Sequence, residues 1–346
     1  MNSGVPSMRR VSTSDSNAPD MLYQYLSPLR PYLIDANNTE IAVNRPGEVW
    51  TESRHGWQRH AVPELTYDAC MRLALLIANF NGKAIDKDRP VLSAGLIYGE
   101  RVQVVIAPAC EEDTVSLTIR KPSTIEKSVD ELAAEGAFDE WTPCHDGLAP
   151  FEQELLSLKE DRRIKEFLDL AVRKRRNILV VGKTGSGKTT LAKSLVRSIP
   201  TIERLITIED VHELFLPHHP NRVHLFYARA EEGGAIVGPK QVLASCLRMK
   251  PDRILLAELR GDEAWEFVKS INTGHPGSIS TMHANGAFDA FEQLTALIKD
   301  SRTGAHLDSA YIKQRLYTTL DVILFYDKYK LREIYYDPAF KRQQMA

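Results

Sequence analysis

The sequence has no long hydrophobic run. Its apolar stretches, such as LALLIA and ILFY, stop far short of the roughly 20 residues a helix needs to cross a bilayer. The first twenty residues, MNSGVPSMRRVSTSDSNAPD, carry two arginines but no apolar core after them. That argues against a secretory signal and for a disordered tail over residues 1–20, in which RRVS resembles a phosphorylation site only at the level of chance. Cysteine is sparse and scattered: Cys70, Cys110, Cys144 and Cys246 form no Cys-x-x-Cys pair. Neither a zinc ribbon nor a dithiol redox site is suggested, and free thiols in a reducing cytosol are expected. Charge of one sign is also missing, with 44 Lys and Arg against 46 Asp and Glu and a net charge of −2, which argues against a dedicated nucleic-acid channel. One further absence is local. RILLAELRG at 253–261 has the form of the acidic strand of a nucleotide-hydrolysing enzyme, yet Ala257 stands where an aspartate usually helps to hold magnesium, and the acid that follows is Glu258.

What is present fits two domains, for which 346 residues suffice, with 43% hydrophobic and 26% charged residues as in ordinary globular proteins. Residues 40–62 alternate apolar and polar around NRPGE and RHGW, predicting a small β-meander. TYDACMRLALLIANFNG has helical spacing and a glycine stop, and VLSAGLIYGERVQVVIAP and TVSLTIRKP read as strands. These predict an α+β N-terminal domain over 21–136 that ends in a short helix, VDELAAEGAF. A linker rich in Pro, Gly and Asp follows over 137–150. In 151–346 helices (about 151–175) lead into NILVV, RLITIE, RILLAE and SISTMHA, short apolar runs separated by helical stretches such as KTTLAKSLVRSI and EAWEFVKSINT. That alternation predicts a largely parallel sheet covered by helices.

GKTGSGKT at 182–189 matches G-x-x-x-x-G-K-[ST] in full, after the strand NILVV and before a helix. Gly182, Lys183, Thr184, Gly185, Ser186 and Gly187 form a loop whose glycines let backbone N–H groups turn inward on phosphate oxygens. The helix that starts at Lys188, Thr189 and Thr190 adds its positive end. Lys188 supplies a point charge to the β- and γ-phosphates and the Thr189 hydroxyl a magnesium ligand. The motif implies ATP and Mg²⁺, but not the use made of the energy.

Glu258 ends a buried-type strand, and strand C-termini of a parallel sheet line the ligand crevice. It is expected to orient or activate the attacking water. LITIEDVHEL places Glu209 and Asp210 at another strand end, where these two adjacent acids are expected to support the magnesium shell through waters. TGHPGSISTMHANG brings His275 and His283, and His283 ends a strand where an imidazole can hydrogen-bond the γ-phosphate.

The order of these elements (phosphate loop, TIEDVHEL, LRMKPDRILLAELRGDEA, TGHPGSISTMHANG) closely resembles the secretion-ATPase superfamily, whose acidic strand keeps a glutamate and lacks the aspartate. EIAVNRPGEVW, PVLSAGLIYGERVQVVIAPAC and VSLTIRKPS are similar to the N-terminal domain of the type IV secretion traffic ATPases, and the likeness spans residues 22 to 336. The resemblance implies an α/β fold, a RecA-like P-loop C-terminal domain with an α+β N-terminal domain. It implies a homohexameric ring on the cytoplasmic face of the bacterial inner membrane. There it would meet inner-membrane components of a secretion machine and serve, indirectly, an exported protein or DNA substrate. It also implies nucleotide between the two domains and, from the N-terminal domain, two arginines on the γ-phosphate, here Arg101 and Arg120. The linker resembles the branch in which domains are swapped between neighbours. Rival readings are a pilus or type II secretion motor, a nucleotide-gated scaffold and a DNA translocase. Two features are read as bland. His212, His218, His219 and His224 follow no ligand spacing and are taken as polar loop residues, and RKRR at 173–176 as a solvated helix end.

Overall fold

The computed structural model describes residues 18–123, 126–141, 147–228 and 237–345. The expected tail lies, up to residue 17, outside the described residues, as do 142–146 of the linker with Cys144.

Six strands make an antiparallel sheet in the order β3-β2-β1-β6-β5-β4: β1 Glu40–Val43, β2 Glu48–Ser53, β3 Gly56–Ala61, β4 Val91–Gly95, β5 Arg101–Ile106 and β6 Val115–Arg120. The helix Tyr67–Phe80 covers one face. Its first turn is capped by the Thr66 hydroxyl, which accepts the Ala69 N–H at 3.2 Å. It buries Cys70, Leu73, Ala74, Ile77 and Ala78, an i, i+3, i+4, i+7, i+8 stripe, against sheet residues such as Ile41, Val104, Leu117 and Ile119.

The second sheet has seven strands in the order β13-β12-β7-β11-β10-β8-β9. They are β7 Ile178–Val181, β8 Leu205–Glu209, β9 Arg222–Phe226, β10 Arg253–Leu256, β11 Ile279–Met282, β12 Val322–Asp327 and β13 Lys330–Tyr335. All neighbours are parallel except the β12–β13 hairpin. Every residue of β7, β8, β10 and β11 is buried, because helices lie on both faces. Leu179, Val181, Ile206, Ile208 and Leu256 pack with helices Pro239–Cys246, Glu263–Asn272 and Asp289–Asp300. Ile178, Val180, Leu205 and Leu255 face the other way, onto Pro150–Glu160, Ile164–Arg173 and Lys188–Val196.

The four apolar runs picked out in the sequence are β7, β8, β10 and β11. Strands β9, β12 and β13 had no such reading. RVHLF carries polar residues at a sheet edge, and KLREIY is largely exposed because the hairpin is only partly covered.

The antiparallel sheet docks on the β8–β9 edge of the parallel one. Arg204, fully buried at the start of β8, ties the two together. Its guanidinium donates to Asn44 Oδ1 at 2.6 Å, to Asn221 Oδ1 at 2.7 Å and to the Met249 carbonyl at 2.9 Å, and lies 5.2 Å from the Trp57 ring. Lys250, just before β10, pairs with Glu52 at 2.7 Å. At the other end of β9 the Phe226 amide donates to the Ala109 carbonyl at 2.9 Å, and Cys110 bridges Leu225. Cys70, Cys110 and Cys246 are free, as expected of the described cysteines, and all three are buried.

Candidate active site

The phosphate loop sits between β7 and the helix Lys188–Val196, at the C-terminal edge of the parallel sheet. Two of its glycines are demanded by their surroundings. A Cβ on Gly182 would lie 2.1 Å from the Tyr326 carbonyl oxygen. Gly187 has φ +96°, and a Cβ there would meet Tyr329 Cδ1 at 2.8 Å. The β12–β13 turn thus backs the loop, and the Tyr329 amide donates to the Ser186 carbonyl at 3.0 Å. Ser186 Oγ is buried within the loop, beside Gly182, without a hydrogen-bond partner. Lys188 is buried, with its Nζ donating to the Lys183 carbonyl at 3.0 Å. Burial holds its ammonium below the ordinary lysine range, Glu258 pulls it back up, and Arg260 pushes it down.

Glu258 follows β10, two strands from β7, and acts on this lysine across the end of β11. Its Oε1 lies 2.8 Å from His283 Nε2, close but without the alignment of a hydrogen bond, and its Oε2 is paired with Arg260. Arg260 also reaches Asp210 at 3.5 Å. Strand ends β7, β8, β10 and β11 therefore bring Lys188, Asp210, Glu258 and His283 to one edge of the sheet. The carboxylate is mostly shielded while the imidazole is half exposed. That arrangement suits a water-orienting acid beside a phosphate cradle.

The comparisons agree with this chemistry. Residues 149–325 match the family described as Type II/IV secretion system protein. The Type IV secretion system protein VirB11 of Brucella suis biovar 1 is 47% identical over 327 residues, 92% of this chain and 91% of its own. The chain belongs to the type II/IV secretion system protein family. Within it, PtlH of Bordetella pertussis, a type IV secretion system protein, is 41% identical over 88% of this chain and 89% of its own. The crystal structure of the VirB11 ATPase of Brucella suis, in complex with sulphate, superposes with a TM-score of 0.87. The identity is 46%, over 93% of this chain and 99% of that one. The chain is a type IV secretion traffic ATPase with an α/β fold, and nucleotide binding and hydrolysis follow from that membership.

In this traffic ATPase the remaining sequence-predicted residues are distributed unevenly. Thr189 and Thr190 begin the helix after the loop, and Lys183, Thr184 and Gly185 form its exposed rim. Glu209 is not aimed at the phosphates. It is fully buried, accepting the Thr207 hydroxyl at 2.7 Å and the amides of Glu213 and Leu214 at 2.8 and 2.7 Å. Burial alone would push its carboxyl up; His224, Thr207, Leu214 and Glu213 together hold it below the ordinary range. These bonds shape the loop that carries Asp210.

Arg101 and Arg120 are not brought to the phosphate loop of their own chain. They line a cavity of about 360 Å³ with Glu40, Lys83, Arg248 and Lys250. That cavity borders the docked sheet and the residues just before β10, at the N-terminal ends of the parallel strands. The loop lies at the opposite strand ends, and β7 is four strand spacings from β9, about 19 Å. His275 precedes β11, its Nδ1 3.2 Å from the Pro251 carbonyl, and stays outside the cluster.

The bland reading of the histidines is corrected at two positions. His219 and His224 are buried, their rings 3.0 Å from the Ile199 carbonyl and 2.8 Å from the Thr207 hydroxyl. RKRR is not simply solvated either. Arg176 lies over the Phe151 ring and reaches Asp321 at 3.5 Å, and Arg175 reaches Glu203 at 3.4 Å. Sequence reasoning missed Arg260, Tyr326 and Tyr329. The only signal for Arg260 was a cation two residues after the strand-end acid.

Proposed function

We propose that this traffic ATPase is the ATP-hydrolysing ring motor of a type IV secretion machine, a homohexamer at the inner membrane that drives pilus assembly and the export of protein or DNA. Its domains are then 21–136 and 151–346. The carrying observation is the separation within one chain of Lys188 and Glu258 from Arg101 and Arg120. A phosphate tail held by the first pair has Arg260 of its own chain beside Glu258, but meets Arg101 and Arg120 only if a second copy presents its N-terminal domain. A head-to-tail contact of that kind closes into a ring. It also makes turnover depend on the state of the neighbour, which suits a motor. Among the described residues no helix is long and apolar enough to cross a membrane, so attachment to the machine would run through surface contacts.

In this reading the loop amides and Lys188 hold the β- and γ-phosphates. Glu258, oriented by Arg260 and His283, accepts a proton from the water that attacks the γ-phosphorus, while the bond to the β,γ-bridging oxygen breaks and ADP leaves. The buried Ser186 hydroxyl and the cradle closed by Tyr326 and Tyr329 fit a polyphosphate, and the Thr189 hydroxyl would hold Mg²⁺, with Asp210 in its outer shell. Bound there, Mg²⁺ would neutralise charge on the β- and γ-oxygens. Arg101 and Arg120 from the neighbour would stabilise charge on the transferring group, an effect of roughly 10³–10⁵ in rate.

Mixing tests this directly. Lys188→Ala and the double variant Arg101→Gln/Arg120→Gln are each expected to be inactive. Mixed one to one after subunit exchange, about one quarter of head-to-tail interfaces pair an intact lysine with intact arginines, and activity returns in that proportion. A mixture as dead as its components would remove the arginines from catalysis in trans.

A further inference from the structure

Two histidines and a glutamate from the two sheets converge where the sheets meet. Glu111 lies in the turn between β5 and β6, His212 in the loop after β8, and His224 in β9. One ligating atom from each lies within 4.8 Å of the others. His224 is buried, and its Nδ1 sits 2.8 Å from the Thr207 hydroxyl and 3.5 Å from Glu209 Oε1. A hydrogen bond at one ring nitrogen is how proteins orient a histidine whose other nitrogen takes a metal. His212 is stacked at a tilt against His224, Phe215 and Phe226, with ring centroids 4.6, 4.3 and 5.2 Å away. Its Nε2 is shielded from solvent and has no hydrogen-bond partner. Aromatic packing accounts for the stacking, but not for an orphaned nitrogen beside a second imidazole and a carboxylate. Leaving such an atom unpaired is destabilising. The charged or chargeable groups facing His212 are His224, Glu209, Glu111 and Arg222.

We propose that Glu111, His212 and His224 bind a divalent transition-metal ion that clamps the N-terminal sheet to the edge of the ATPase sheet. Two imidazoles and one carboxylate suit Zn²⁺ in tetrahedral coordination, with water in the fourth position. The spacing of 101 residues between Glu111 and His212 hides the site from any sequence motif. The carboxylate comes from one domain and both imidazoles from the other, so the ion joins the two. None of the three ligands belongs to the phosphate loop, although His212 stands two residues after Asp210.

The test uses the tag-free full-length chain, stripped with chelator and titrated with Zn²⁺ by calorimetry and with Co²⁺ by visible absorption. One site per chain is expected, with the intense bands of tetrahedral Co²⁺. Glu111→Gln and His212→Ala are each expected to weaken Zn²⁺ binding by more than about 100-fold. Their circular dichroism and nucleotide affinity should stay those of the parent, and the exposed His218→Ala should bind as the parent does. Zn²⁺ should raise the Tm of the parent and not that of Glu111→Gln. Absence of stoichiometric binding to the parent, or parental affinity in both variants, overturns the site. Loss in His212→Ala with full binding and full Tm shift in Glu111→Gln overturns the clamp.

Discussion

Replacing Glu258 by glutamine removes one negative charge and almost no volume. In the structure that carboxylate faces three cations: Lys188, Arg260 and, when protonated, His283. Two consequences follow with different magnitudes. The contact with His283 involves a half-exposed imidazole, and such pairs contribute at most about 1 kcal/mol to stability. Folding is therefore little affected. The loss of a positioned base lowers turnover by about 10²–10⁴, or roughly 3–5 kcal/mol of barrier. Nucleotide binding moves the other way, if at all: with the carboxylate neutralised, Lys188 and Arg260 present more uncompensated positive charge to the phosphates. Glu258→Gln should therefore bind ATP at least as tightly as the parent while releasing phosphate 10²- to 10⁴-fold more slowly, by rough account. Fluorescent-nucleotide titration and steady-state phosphate release measure both quantities on one sample. Turnover within threefold of the parent would remove Glu258 from the water-orienting role. Loss of ATP binding would mean that the carboxylate serves to build the cradle instead.

Gly187→Ala forces a methyl group towards Tyr329 Cδ1 at a positive φ, a local strain on the order of 1–3 kcal/mol. Nucleotide affinity should fall about tenfold or more with little change in Tm, and unchanged affinity would show that the loop and the β12–β13 turn shift freely. Glu40 gives a pH-dependent prediction: burial pushes its carboxyl up to about 7 from the ordinary 4.5, Arg120 opposes this, and Oε2 has no hydrogen-bond partner. The folded chain then keeps a proton that the unfolded chain loses between these pH values, so stability falls as pH rises through the window and the full penalty applies above it. Glu40→Gln should raise Tm at pH 8, by an effect on the order of 2 kcal/mol, and hardly at all at pH 5. An equal gain at both pH values, followed by scanning fluorimetry, would remove the titration of Glu40 as the cause.

Much of the molecule was legible in its sequence because the decisive interactions there are local. The phosphate loop needs eight consecutive residues between a strand and a helix, and the chain supplies them in order from Gly182 to Thr189. Strands β7, β8, β10 and β11 are buried on both faces and so read as apolar runs, and the helix Tyr67–Phe80 declares itself by its stripe and its Thr66 cap. Glu258 and His283 could be named because strand ends in a parallel sheet face one crevice. Tertiary structure alone decided the rest, where the outcome depends on which strand lies beside which and on what each side chain finds there. Glu209 and Asp210 are adjacent in sequence, yet the pairing of β8 with β9 sets Glu209 against His224, while the pairing of β8 with β10 leaves Asp210 to meet Arg260. Arg101 and Arg120 are phosphate ligands by resemblance alone, and docking on the β8–β9 edge sets them at the strand ends away from the phosphate loop of their own chain. Glu111 and His212 are neighbours only because the β5–β6 turn reaches the end of β9. A linear pattern carries periodicity and adjacency; it does not carry the order of strands in a sheet, and that order sets the distances on which electrostatics and coordination depend.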